Sequence, residues 1–261
     1  GQGVAEVPPG AVPVRWEEGG LVARWGRDTF PVTIGMLVAD LEWGAAYALD
    51  PQTVPKRVQK RYAIEVTRQK LWPLMQRQIV AHESENPHLS RHLRAWLPET
   101  LKNETSEQLG FKAERLVFSL MKCLELDVDG AGFKAQKADI CQDVFQKVDF
   151  LLTVPEWVRG VRVETDEPSL GSGPKPLASP TKPVQGFQLT LRTKEQVLQE
   201  KQRQIDMAKR FLEPSIRDIS LVCLATKMVD DALWLWEHVG RPPGGPCKCL
   251  AIEDVKELCR R

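Results

Sequence analysis

Few residues in this chain have the type and spacing to do chemistry. Asp149 lies in the run Lys147-Val148-Asp149-Phe150-Leu151, in otherwise apolar company. A carboxylate among buried apolar side chains is costly unless it is paired or binds a metal. Gly186-Phe187-Gln188-Leu189-Thr190 alternates apolar and polar residues. Alternation with period two puts Gln188 and Thr190 on one face of a strand. If the two runs are neighbouring strands, Asp149 and Gln188 converge. Glu114 stands on an amphipathic run upstream, and Asp143 is a further carboxylate just before Asp149. An isolated strand aspartate is also a common ion-pair partner, so a metal-ligand role and a local salt bridge both fit.

The elements that must position these residues read as α/β, with a mixed central sheet flanked by helices. Leu109, Ala113, Leu116, Val117, Leu120 and Leu124 form a helical apolar stripe within 106–126. Segments 144–154, 186–191 and 219–225 read as strands of one sheet, with the 106–126 helix packed across it. A polar helix over 194–211 joins the last two strands, which predicts parallel neighbours with a right-handed crossover. Helices over 230–239 and 252–259 close the chain. Between the first two strands, 156–185 is dense in Pro, Gly and Ser, centred on Pro168-Ser169-Leu170-Gly171-Ser172-Gly173-Pro174. Loops of this length are functional or disordered, and a mobile insertion is expected.

The first half divides into an arm, 1–32, and a helical region, 33–105, ahead of the α/β core at 106–227 and the C-terminal helices at 228–261. Val14-Arg15-Trp16 and 21–25 flank Glu17-Glu18-Gly19-Gly20, a hairpin with a glycine turn. Trp16 and Trp25 are expected to pair across it. Ile34, Leu37, Val38 and Leu41 recur at helix spacing. A second helix covers 55–80, with a kink expected at Pro73. A third covers 89–97 and is expected to stop at Pro98. No strand is expected within 33–101. The second helix carries Lys56, Arg57, Lys60, Arg61, Arg68, Lys70 and Arg77 against one acid, Glu65. Such a run is either a solvated face or a phosphate-contacting surface.

A helix with an acid, a strand with Val-Asp-Phe, a strand with Gln-x-Thr and a basic helix together resemble the PD-(D/E)XK, or restriction-endonuclease-like, superfamily. The resemblance covers about 105–227, under half the chain. It implies a restriction-endonuclease-like core and a divalent-metal-dependent nuclease acting on DNA, with Mg²⁺ or Mn²⁺ as cofactor. It assigns Asp149 to the motif aspartate, Gln188 to the third-strand metal ligand and Glu114 to the helix acid. These are also the implied metal ligands. The lysine of the family pattern is replaced here by Thr190, and a hydroxyl does not replace a cation. Arg192, Lys194, Lys112 and Lys122 are the candidate substitutes, with Arg192 and Lys194 closest to the motif. Lys56, Arg57, Lys60, Arg61 and Arg68, with Lys201, Arg203, Lys209 and Arg210 on the later helix, would steer the nucleic-acid backbone. The alternative is a catalytically inactive module on the same fold that binds nucleic acid or protein, favoured by Thr190 and by the weaker donor Gln188. Trp16, Trp25, Trp43, Trp72, Trp96 and Trp157 serve either a protein interface, with a partner or a second copy, or the core. A purely structural protein is the third reading.

Composition excludes little else. The chain has 261 residues, 27% charged and 42% hydrophobic, with a formal net charge of +1. Binding to nucleic acid must therefore come from a local patch. No apolar run is long enough to span a bilayer, so no membrane partner is expected. The segment 1–14 has no signal-peptide pattern. Cys123, Cys141 and Cys223 lie in apolar runs; Cys247, Cys249 and Cys259 cluster late. Cys-x-Cys is tighter than ordinary zinc-ligand spacing, so reduced thiols in a cytoplasmic protein are expected over a zinc site. His82, His88 and His92 read as solvent-facing. There is no phosphate-binding glycine loop and no Gly-x-Ser-x-Gly elbow.

Overall fold

The computed structural model describes residues 10–103, 108–128, 132–153, 184–191, 194–251 and 253–256. These form two mixed sheets flanked by helices. The insertion at 156–185 lies outside the described residues except for its last two positions. Arg192, Trp157 and Cys259 also lie outside them.

The hairpin forms as β1 (Val12–Glu17) and β2 (Gly20–Trp25). Its two turn residues, Glu18 and Gly19, have φ of 49° and 87°, the left-handed pair that a tight hairpin turn demands. The register puts Trp16 opposite Leu21 and Trp25 opposite Asp28, so the two tryptophans do not pair. Trp25 instead meets Phe30 edge-on at 5.5 Å. The hairpin is also more than an arm. Strands β3 (Asp28–Val32) and β4 (Tyr47–Leu49) extend it to a four-stranded sheet ordered β3-β2-β1-β4. Strand β4 corrects the expectation of an all-helical 33–101. It has only three residues and no alternating run, and its parallel pairing to β1 makes it a strand.

Helix α1 (Ile34–Leu41) starts at Thr33, whose hydroxyl accepts the Met36 N–H at 3.2 Å. Helix α2 (Lys56–Ser84) runs through Pro73. Helix α3 (Arg91–Asn103) runs through Pro98, where a stop is expected from sequence. Leu97, fully buried, and Leu101 pack with Val80, Ile140 and Val144. That packing holds the helix past a residue that lacks its N–H.

Helix α4 (Leu109–Asp127) is the expected apolar-striped helix, with Ala113, Leu116, Val117 and Leu120 buried. The second sheet is ordered β5-β6-β7-β8, from β5 (Lys134–Lys137), β6 (Phe150–Thr153), β7 (Val184–Thr190) and β8 (Ile216–Cys223). Strands β5, β6 and β7 pair antiparallel. Strand β8 pairs parallel to β7, through the crossover helix α6 (Glu195–Ala208), as expected. The expected strand at 144–154 is shorter than read. Its first part belongs to helix α5 (Ile140–Gln146), started by a capping box between Asp139 and Gln142. Lys147 ends α5 in the left-handed region, with φ 58°. Helix α7 (Thr226–His238) closes the core against α4.

Two faces of this sheet are distinct. Phe150, Leu189 and Val222 pack with Leu116, Val117 and Val229 of α4 and α7. Val148, Leu151 and Ile219 pack with Ile205 of α6 on the other side. No helix among the described residues is long and apolar enough to cross a membrane.

Candidate functional site

The left-handed turn at Lys147 reverses the chain out of α5 and delivers Asp149 to the start of β6. There the Asp149 carboxylate accepts the Leu189 N–H of β7 at 2.5 Å, and its own N–H donates to the Phe187 carbonyl at 2.8 Å. The side chain is thus tied into the β6–β7 ladder and half-buried. Burial raises its proton affinity well above the ordinary carboxylate range, and the negative charge of Asp143 raises it further. The Leu189 N–H and the ammonium groups of Lys201 and Lys147 act in the opposite sense. Asp143 is raised as well, by burial, against the same two lysines. Burial lowers Lys147, whose ammonium lies 4.8 Å from the Trp96 ring centre.

Asp149 and Asp143 line a cavity of about 370 Å³ together with Glu114 of α4. Arg77 of α2, Arg115 of α4 and Lys137 of β5 line it too, with Trp72 and Phe118 in its walls. Glu42, at the end of α1, lines it as well, so the cavity gathers four carboxylates from four parts of the chain and three cations from three. Lys137 is ion-paired to Glu42 and stands 5.3 Å from the Phe118 ring centre.

Gln188 is placed differently. Phe187 and Leu189 pack towards α4, so alternation turns Gln188 and Thr190 to the opposite face. Gln188 does not line the Glu114–Asp149 cavity. It is buried, and its Oε1 has no hydrogen-bond partner among the described residues. Lys194 is exposed at the start of α6. Lys122 is buried between Glu65, at 3.5 Å, and Glu125, at 2.8 Å, so its charge is already committed. Lys201 sits beside the acid pair, which makes it part of the site; Arg203 is exposed and held by Glu200. Lys56, Arg57, Lys60 and Arg61 are all exposed on α2. Arg68 is exposed and paired to Glu65 at 2.6 Å.

Sequence reasoning leaves Asp149 short of cationic partners, because only Lys147 is near it in the chain. The fold supplies Lys201 from α6. Arg77, Arg115 and Lys137 were also not legible as one cluster. Arg77 was visible only as the last charge of a basic helix, and β5 has no apolar alternation to announce it.

The cavity's carboxylate oxygens suit a hard divalent ion in kind, and Gln188 adds no amide oxygen to them. Among the described residues no group of three or more His, Cys, Asp or Glu could hold one. No family model, curated protein or solved structure matches the chain.

Proposed function

We propose that this cavity binds a nucleic-acid phosphodiester, DNA foremost, and hydrolyses it with a divalent metal ion, on a restriction-endonuclease-like core. One observation carries the reading: Glu114, Asp143 and Asp149 line a single cavity with Arg77, Arg115 and Lys137. Phosphodiester hydrolysis needs positive charge at the phosphate and a carboxylate at the attacking water. Arg77 is the group to orient the phosphate, since Lys137 is ion-paired to Glu42. Asp149, with proton affinity raised by burial, is the group to accept a proton from water. Lys201 and Lys147 partly offset the burial and mutual repulsion that raise the proton affinity of the acid pair. Asp143 and Asp149 are the two carboxylates that would hold Mg²⁺ or Mn²⁺, with water and substrate oxygens completing its shell; the ion would polarise the phosphate and acidify water. The exposed cations of α2 would carry the flanking backbone without reading sequence.

The second reading is an inactive nucleic-acid-binding module on the same core. Gln188 outside the cavity and Thr190 in the lysine position favour it. The test is cleavage of single- and double-stranded DNA and RNA in Mg²⁺ and in Mn²⁺, by wild type and by Asp149→Asn. Cleavage lost in the variant supports hydrolysis. Salt-dependent binding without cleavage selects the module. Neither binding nor cleavage refutes both.

A further inference from the structure

A second cavity, also about 370 Å³, adjoins the first and shares Glu42, Trp72, Phe118 and Lys137 with it. It runs between α2 and β5, and Leu41, Leu71, Trp72 and Met75 line it. Leu71 and Met75, one helical turn apart, are 55% and 40% exposed and give the cavity an apolar side. The charged lining comprises Arg68, Lys122, Lys134 and Lys137 against Glu42 and Glu65. Lys122 is also held by Glu125, so four cations stand against three acids; the excess of one positive charge makes the rim complement an anionic ligand.

We infer that the two chambers together take a single nucleic-acid strand, with an unpaired base in the apolar chamber beside Trp72 and its phosphodiester in the Asp149 chamber. This rests on the phosphodiester reading and names the form of its substrate. A base in a duplex is stacked and paired, so a duplex lying across the acid chamber leaves the apolar one empty. A single strand splays its bases, and an aromatic wall next to a phosphate site is what such strands bind, because every base has a π-face to stack. Trp72 and Phe118 stand in the wall common to both chambers, so a strand passing from one to the other runs along them. Lys137, in the same wall, lies where base and phosphate meet.

The experiment measures binding of the whole chain, in EDTA to prevent cleavage. The probes are a single-stranded DNA of roughly 16 nucleotides, enough to fill one site of this kind, its duplex, and a strand of the same length carrying abasic sites. The single strand should bind more tightly than the duplex. Trp72→Ala should weaken the single strand about tenfold and the duplex by clearly less, and Trp72→Phe should restore most of the loss. The abasic strand requires no change to the protein, and wild type should bind it about tenfold more weakly than the base-bearing strand. Equal affinity for strand and duplex, or for abasic and base-bearing strands, overturns the base chamber and leaves the phosphodiester reading standing. Absence of salt-dependent binding to any probe overturns both.

Discussion

Asp40 offers a test of the structure that is independent of function. It lies on α1, 2% exposed, and its Oδ2 accepts the Tyr47 hydroxyl and the Gly244 N–H, the latter at 2.6 Å. It therefore ties α1 to β4 and to the loop that follows α7. Burial outweighs these hydrogen bonds and raises its pKa from 3.8 to about 6. The folded state thus holds the proton more tightly than the unfolded chain does. Stability from this group is full below the unfolded value and is lost as pH rises through about 6. The gap amounts to about 3 kcal/mol, of which about 1.5 kcal/mol falls between about pH 5 and pH 8. Asp40→Asn is neutral throughout and keeps an oxygen for Tyr47 and Gly244. Urea unfolding of both proteins across that range should show wild type losing about 1.5 kcal/mol relative to the variant as pH rises. A difference that stays constant with pH would refute the burial argument.

Three other outcomes are expected. Changing Lys56, Arg57, Lys60 and Arg61 of α2 to Glu should weaken nucleic-acid binding equally for all sequences and lower the slope of log affinity against log salt, by about 0.9 for each duplex phosphate no longer neutralised; an unchanged slope would make the run a solvated face. Lys201→Met removes a cation from beside the Asp143–Asp149 pair and should destabilise the fold by up to about 1 kcal/mol; Asp143→Asn should rescue part of the loss in thermal melts, and no rescue would mean that Lys201 acts elsewhere. Leu116→Ala, at a fully buried position of α4, should cost roughly 2–5 kcal/mol in urea titrations; a loss under about 1 kcal/mol would mean that α4 is not tightly packed on the sheet.

Much of the fold was legible because it is local. The apolar stripe of α4 and the alternation in β7 show in the sequence, and so does the α6 crossover that makes β7 and β8 parallel. The Gly-containing turn of the first hairpin was equally plain. Three features were harder to see. Strand β4 exists through pairing with β1, and α3 continues past Pro98 because Leu97 and Leu101 are packed from outside; in both, distant segments decide. Segment 144–154 splits because the Asp139 capping box starts a helix upstream, and that helix overrides the apolar run that follows it.

The candidate site divides in the same way. Residue type and spacing alone singled out Asp149, Glu114 and the basic helix, because a charge in an apolar run is a local anomaly that needs compensation. Only the tertiary structure decided what compensates it. It brought Lys201 from α6 to the acid pair, set Arg77, Arg115 and Lys137 around one cavity, and turned Gln188 to the opposite face. Periodicity assigns a side chain to a face of its own strand or helix. Which elements share that face is set by packing between segments far apart in the chain, and no local pattern encodes it.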